Sequence, residues 1–134
     1  MLVHIDEHSD LWPNPHTLVK ADSFDLSQVF RFTNQKCNVG NYIRPAISEG
    51  LIGEMIRIEG EYDLRRERGR QISSNSILNL DLDFFSLELD DIDFALKKEV
   101  ILQFATQVSL ITIASSPFFI EQKRAIEYLH RVFS

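Results

Sequence analysis

The sequence lacks the features that define several protein classes. It has one cysteine, Cys37, among 134 residues, which excludes an internal disulfide framework and a cysteine-rich zinc site. No apolar run reaches the roughly 18 residues of a transmembrane helix, so we expect no membrane partner. Residues 1–12 carry acids and histidines, unlike a secretory signal peptide. We therefore expect one domain over residues 1–134, in the cytoplasm, with Cys37 as a reduced thiol.

Positive charge is also scarce. The chain has 14 Lys and Arg against 20 Asp and Glu, a net charge of −6, so we expect no nucleic-acid partner. Hydrophobic residues make up 44% and charged residues 25%, which is typical of a globular protein. The mixed charge run at 61–70 is interpreted as a solvated loop or helix, or as a lip that meets a substrate or a second subunit.

Short apolar runs alternate with segments of helical periodicity. Runs of this kind are typical of strands in a parallel sheet that is covered on both faces. Strands are predicted at 2–5, 53–58, 76–82 and 108–114. Helices are predicted from Asp22 or Ser23 to about Phe32, and at 41–49, 90–107 and 120–133, the third with its acidic residues at 90–93 as caps. Strands interleaved with helices predict an α/β fold with a mostly parallel sheet flanked by helices.

Two clusters of metal-ligand residues follow predicted strands. Asp6, His8 and Asp10 are spaced by two, and so are Asp81 and Asp83. In an extended chain this spacing puts the side chains on one face. Both clusters are predicted at the carboxyl ends of strands, where open α/β sheets bind their ligands.

Four carboxylates this close together need positive charge between them. Without a cation some would be protonated, whereas two divalent ions balance the four charges. Carboxylates with one imidazole favour Mn²⁺, with iron, cobalt or zinc as less favoured options. Two such ions about 3.5–4 Å apart lower the pKa of a shared water and supply hydroxide at neutral pH. The sequence offers no serine elbow, and Ser115-Ser116 is interpreted as turn material.

These motifs resemble those of the arginase (ureohydrolase) superfamily. Asp-Glu-His-Ser-Asp at 6–10 is similar to its Asp-Ala-His-x-Asp signature, and Asp-Leu-Asp at 81–83 to its Asp-x-Asp. The longer strings at 4–12, 78–86 and 111–120 resemble the short, divergent branch of peptide arginases. The resemblance implies a small three-layer arginase-like domain. It also implies a manganese-dependent enzyme that hydrolyses arginine side chains in ribosomally made precursor peptides to ornithine and urea.

The resemblance also implies roles for five residues. Asp6 and Asp81 would bridge two manganese ions, Asp10 would bind one ion, and His8 and Asp83 would bind the other. The shared hydroxide would attack the guanidinium carbon. Asp10 would then pass a proton towards the leaving amine.

Several roles stay open. Members of the family have a further histidine ligand, for which His4, His16 or water is available here. His16 is also the candidate proton shuttle. Their guanidinium-binding glutamate has no counterpart before Pro117, so Glu121 is the nearest candidate, unless it is an exposed residue in the first turn of the last helix. We expect Asn14, Asn41 and Tyr42 to contact the substrate backbone. Asn41 could instead cap the helix that follows it.

Two other functions compete with peptide hydrolysis. One is a ureohydrolase or amidohydrolase that acts on a free small molecule. The other is a non-catalytic metal-binding module that serves as an interaction partner. A first strand at the edge of the sheet would in addition favour a homo-oligomer.

Overall fold

The computed structural model describes residues 1–15 and 25–134. Residues His16, Asp22 and Ser23, which carry predictions above, lie outside these ranges. The described chain forms two compact units. The first comprises Met1–Glu7 and Glu54–Ser134, and the second comprises His8–Gly53.

A four-stranded, entirely parallel sheet forms the centre of the first unit. Its strands, in chain order, are β1 (Leu2–Ile5), β2 (Met55–Ile58), β3 (Ile77–Asp81) and β4 (Leu110–Ala114). They lie in the order β2-β1-β3-β4. The predicted α/β class and its parallel sheet are confirmed.

Helices fill most of the chain between the strands. In the second unit these are α1 (Leu26–Gln35) and α2 (Ile43–Ser48), and in the first unit α3 (Glu61–Glu67), α4 (Phe94–Ala105) and α5 (Gln122–Phe133). The cap of α4 is Asp93, whose carboxylate accepts a hydrogen bond from the Ala95 amide, so one of the acidic residues at 90–93 caps a helix. Within the described residues, no helix has the length and hydropathy needed to cross a membrane.

The core of the first unit lies on the inner strands. All four residues of β1 are buried, and Leu78 and Leu80 of β3 are fully buried. Helix α4 packs Val100, Ile101 and Phe104 into the same core, as its apolar periodicity predicts. β4 is different, because most of its residues are exposed.

Four details of the sequence prediction were wrong. The first helix starts at Leu26 and is capped by Asp25, because that carboxylate accepts a hydrogen bond from the Ser27 amide. β1 is an inner strand that pairs with β2 and β3, so it leaves no free edge. Asp83 lies in a short 3-10 helix over 82–85, because β3 ends at Asp81. In α5 the spacing of Ile126, Leu129 and Phe133 predicts that these residues face inward, but Ile126 and Phe133 are exposed and the buried residues are Ala125 and Val132.

Candidate metal centre

The candidate site lies where the strand order reverses. β1 is followed in the chain by β2 on one side of it and then by β3 on its other side. In open α/β sheets, ligands bind outside the carboxyl ends of the strands at such a switch point. Asp6 directly follows β1, and Asp81 is the last residue of β3. Sheet topology therefore brings these two carboxylates to the position that ligands favour.

Two carboxylates, those of Asp81 and Asp83, each lie close to Asp6 at this point, and we call Asp6, Asp81 and Asp83 the acidic cluster. Asp6 has ligand atoms within 4.8 Å of those of His4 and Asp81, and also within 4.8 Å of those of Asp83. Asp6 and Asp83 are each only 2% exposed. The Asp6 amide donates to the carbonyl of Ile58 at 3.2 Å, which fixes the main chain just beyond β1.

A row of polar side chains crosses the sheet one step before the acidic cluster. His4, Asn79 and Thr112 are paired in register on β1, β3 and β4, and we call them the polar row. Asn79 Nδ2 lies 3.0 Å from His4 Nδ1, and Thr112 Oγ1 donates to Asn79 Oδ1 at 2.6 Å. Because side chains alternate along a strand, His4 and Asn79 share a face with the residues two positions later, Asp6 and Asp81.

The polar row connects directly to the acidic cluster. His4 Nε2 lies 3.3 Å from Asp6 Oδ2, and Asn79 Nδ2 donates to Asp81 Oδ2 at 3.2 Å. The other oxygen of Asp81 accepts a hydrogen bond from Ser116 Oγ at 2.6 Å. Both oxygens of Asp81 are thus oriented by neighbours, as is usual for a metal-binding carboxylate.

Electrostatics favour a cation at the acidic cluster. Burial raises the pKa of the Asp81 carboxyl above its ordinary value, and the negative charge of Asp6 raises it further. The Ser116 hydroxyl and the Asn79 amide lower that pKa, because they donate to the ionised form. A bound cation would remove the repulsion between Asp6 and Asp81 and keep both ionised.

A buried lysine supports the turn that carries Asp83. Lys97 Nζ donates to the carbonyls of Phe84 and Leu89, each at 2.8 Å. The ammonium also lies 5.0 Å from the ring centroid of Phe84 and 5.4 Å from that of Phe85. Since Phe84 directly follows Asp83, α4 anchors the 3-10 helix next to the acidic cluster.

The other predicted metal ligands and the predicted proton shuttle belong to the second unit or lie outside the described residues. His8 and Asp10 are in the second unit, and Asp10 has a positive φ of 51°. The period-two spacing of an extended strand therefore does not continue as far as Asp10. His16 is not among the described residues. For all three, the predicted roles stay predictions.

The predicted substrate contacts in the second unit have structural partners. Asn41 is buried, and its Oδ1 accepts hydrogen bonds from the Asn38 amide at 2.8 Å and from Asn14 Nδ2 at 3.4 Å. Asn41 therefore closes the turn before α2 and is not the cap of that helix. Tyr42 occupies the cap position of α2 without a capping side-chain hydrogen bond. Contact of these residues with a substrate remains a prediction.

Glu121, the candidate guanidinium partner, caps α5. Its Oε1 accepts a hydrogen bond from the Lys123 amide at 3.0 Å, and its Oε2 accepts one from the Arg124 amide at 2.8 Å. The side chain is exposed. The structure therefore gives Glu121 a defined capping role, and a contact with substrate would have to use its remaining lone pairs.

Three residues around the site were not predicted from the sequence: Asn79, Thr112 and Ser116. The sequence does single out Asn79, because it is a polar residue within an apolar run and precedes Asp81 by two residues. Thr112 is likewise the polar residue of an otherwise apolar strand. Ser116 was interpreted as turn material, and it does lie in the loop after β4, but its hydroxyl reaches Asp81.

The donor set fits a divalent metal ion. It consists of Asp6 with Asp81 and Asp83 close to it, two of these three carboxylates buried, and an imidazole among the neighbours. Oxygen-rich sets of this kind suit hard cations such as manganese and magnesium. The chain therefore has Asp and His groups that can hold a metal ion. Comparison with protein-family models, curated proteins and solved structures finds no match.

Proposed function

We propose that the protein is a metal-dependent hydrolase that removes the amidino group from arginine side chains within peptides, leaving ornithine and releasing urea. The observation that carries the proposal is that Asp81 and Asp83 each lie close to Asp6 at the switch point of a parallel sheet. Asp6 begins the Asp-Glu-His-Ser-Asp motif, and Asp81 and Asp83 form the Asp-Leu-Asp motif, the two motifs that resemble signatures of the arginase superfamily.

We propose two Mn²⁺ ions as the cofactors. Asp6, Asp81 and Asp83, together with His8 and Asp10, would hold them. When bound, such ions would supply hydroxide at neutral pH by lowering the pKa of a bound water. His8 and Asp10 carry these roles from their positions in the signature alone.

A cationic substrate suits an acidic site. The arginine guanidinium stays protonated at any working pH, so carboxylates attract it. The net charge of −6 favours the approach of a basic peptide. Asp10 and then His16 would carry a proton to the leaving amine. Asn14, Asn41, Tyr42 and Glu121 remain the proposed substrate contacts, and the free thiol of Cys37 fits the reducing cytoplasm.

The test is a mass measurement on peptides. The purified protein is incubated with Mn²⁺ and a set of arginine-containing peptides, including any precursor peptide encoded nearby. Hydrolysis removes CH2N2 from each converted arginine and releases one urea. Asp83→Asn should abolish the reaction, whereas Asp91→Asn, which removes an exposed carboxylate elsewhere, should leave it unchanged.

The same assay separates the competing functions. Faster turnover of free arginine or agmatine than of peptides would make the protein a small-molecule ureohydrolase. Mn²⁺ binding without turnover of any guanidino substrate would favour a metal-binding module. One observation favours the module: both oxygens of Glu121 already accept hydrogen bonds from the first turn of α5.

A further inference from the structure

His4 lies beside the acidic cluster and could act in two ways. It is fully buried on an inner strand, and its Nε2 lies 3.3 Å from Asp6 Oδ2. If Nε2 carried a lone pair, His4 could bind a metal ion. If Nε2 carried the proton, His4 would instead donate a hydrogen bond to Asp6. The ring nitrogen that is protonated decides between these roles.

The orientation of the Asn79 amide determines which nitrogen is protonated. Asn79 Nδ2 lies 3.2 Å from Asp81 Oδ2, and an ionised carboxylate only accepts hydrogen bonds. The NH2 group must therefore face Asp81. Thr112 Oγ1, 2.6 Å from Asn79 Oδ1, donates to the carbonyl end and holds the same orientation.

The tautomer of His4 follows from this orientation. The same Asn79 NH2 group faces His4 Nδ1 at 3.0 Å, and an amide nitrogen has no lone pair with which to accept. Nδ1 must therefore be the acceptor, and the single proton of the neutral ring is on Nε2. Nε2 lies 3.3 Å from Asp6 Oδ2, without the geometry of a hydrogen bond, and its proton leaves it no lone pair for a metal.

We propose that His4 is a positioning residue for the metal centre and not one of its ligands. This inference rests on the proposed metal site. His4 would donate from Nε2 to Asp6 Oδ2 when the site is filled, and Thr112 and Asn79 fix its tautomer across three neighbouring strands. This hydrogen bond would orient the Asp6 carboxylate and leave its other lone pairs for the ions. Of the candidates for the additional ligand, His16 and water remain.

NMR of the full-length, metal-free protein with ¹⁵N-labelled imidazoles tests the tautomer directly. A long-range ¹H–¹⁵N correlation spectrum, with the His4 signals assigned by their loss in His4→Gln, should show Nε2 protonated and Nδ1 unprotonated. The reverse pattern would overturn the proposal. This readout needs no metal and no substrate, so it is independent of whether arginine hydrolysis is found.

Titration with diamagnetic Zn²⁺ then distinguishes a positioning residue from a ligand. We expect the His4 ring to keep its Nε2 proton when the site is filled. The imidazole signals of His8 should shift if His8 is a metal ligand as proposed. Loss of the Nε2 proton on Zn²⁺ binding would show His4 to be a ligand. If Zn²⁺ moves no imidazole signal, the proposed metal site and with it the positioning role both fail, even with the tautomer confirmed.

Substitutions provide a second, independent test through Mn²⁺ affinity. Glutamine can accept from Asn79 with its carbonyl and donate to Asp6 with its amide, so His4→Gln should bind Mn²⁺ within a few-fold of the parent and with equal stoichiometry. His4→Leu should lose roughly tenfold to hundredfold in affinity. A ligand role predicts instead that both variants lose an equivalent of metal.

Thr112→Val keeps the test informative if His4→Leu does not fold. Valine matches the shape of threonine at an exposed position of the edge strand and removes only the hydroxyl. We expect it to weaken Mn²⁺ binding several-fold and to leave the stoichiometry unchanged. An affinity equal to that of the parent would show that the polar row does not act on the metal centre.

Discussion

The hydroxyl of Ser116 donates a hydrogen bond of 2.6 Å to Oδ1 of Asp81. Ser116 has a positive φ of 45°, a conformation that non-glycine residues rarely adopt. Strained residues of this kind are common at functional sites. The loop after β4 therefore holds an uncommon backbone conformation while it orients a carboxylate of the acidic cluster.

Replacing Ser116 tests whether this contact supports metal binding. We expect Ser116→Ala to weaken Mn²⁺ binding about tenfold, because the hydroxyl orients Asp81 and lowers its pKa. The matched control is Ser115→Ala, one residue earlier in the same loop. Isothermal titration with Mn²⁺ measures both variants. Equal Mn²⁺ affinities for the parent and Ser116→Ala would show that the hydrogen bond from Ser116 to Asp81 supports the loop and not metal binding.

Part of the site could be predicted from the sequence because it depends on local pattern. Asp6 and Asp81 each follow a short apolar run, and the carboxyl ends of parallel strands meet at one edge of the sheet. The position of Asp83 in a 3-10 helix could not be predicted, since Leu82 continues the apolar pattern of β3. Only the end of the β3–β4 pairing at Asp81 shows where the strand stops.

The polar row could not be predicted because it depends on register. His4, Asn79 and Thr112 are far apart in the sequence, and a shift of one residue in either strand pairing would place them on different faces. The edge position that was predicted for β1 was wrong for a related reason. Strand order depends on which way each connection crosses the sheet, and the local sequence does not encode that choice.

Asp81→Asn should stabilise the metal-free protein at neutral pH. The folded-state pKa of Asp81 is raised above its ordinary value of 3.8 by burial and by Asp6, so the folded protein holds its proton more tightly than the unfolded chain. Stability from Asp81 is therefore fully present below about pH 3.8 and is lost as the pH rises through the folded pKa. Asparagine does not ionise, so the variant should avoid this loss.

Urea unfolding with a chelator, between pH 4 and pH 7, measures this effect. The advantage of Asp81→Asn should grow as the pH rises. Excess Mn²⁺ should reverse the order, since ligand at about 100 times its Kd adds about 2.7 kcal/mol to the parent alone. Asp63→Asn is the control, because Asp63 pairs with Arg66 and its loss should destabilise. A variant that is less stable than the parent at pH 7 contradicts the prediction.

Lys97→Met should destabilise the first unit. Lys97 is 3% exposed, and the variant leaves the carbonyls of Phe84 and Leu89 without their donor, a loss of about 2 kcal/mol. Burial lowers the pKa of Lys97 to about 8, although the charge of Asp90 opposes the shift. The ammonium is therefore still the main form at pH 7.

Lys98→Met is the matched control for Lys97→Met. Lys98 also donates to two carbonyls, those of Arg131 and Ser134, but these hydrogen bonds are exposed. Water can replace the lost donor there, so we expect a change within about 0.5 kcal/mol. Denaturant unfolding at pH 7 measures the loss of unfolding free energy in both variants. Equal losses would show that the burial of Lys97 adds nothing to its hydrogen bonds.

Self-association, if it occurs, is expected at β4 and not at β1. β4 is an edge strand of the sheet, most of it is exposed, and its sequence Leu-Ile-Thr-Ile-Ala contains no charge and no proline to block pairing. Ile113→Lys should therefore shift the protein towards monomer at high concentration. Leu87→Lys introduces the same charge at another exposed apolar position and should have no effect. Sedimentation velocity over a concentration series measures both variants, and equal behaviour of the two would remove β4 as the contact surface.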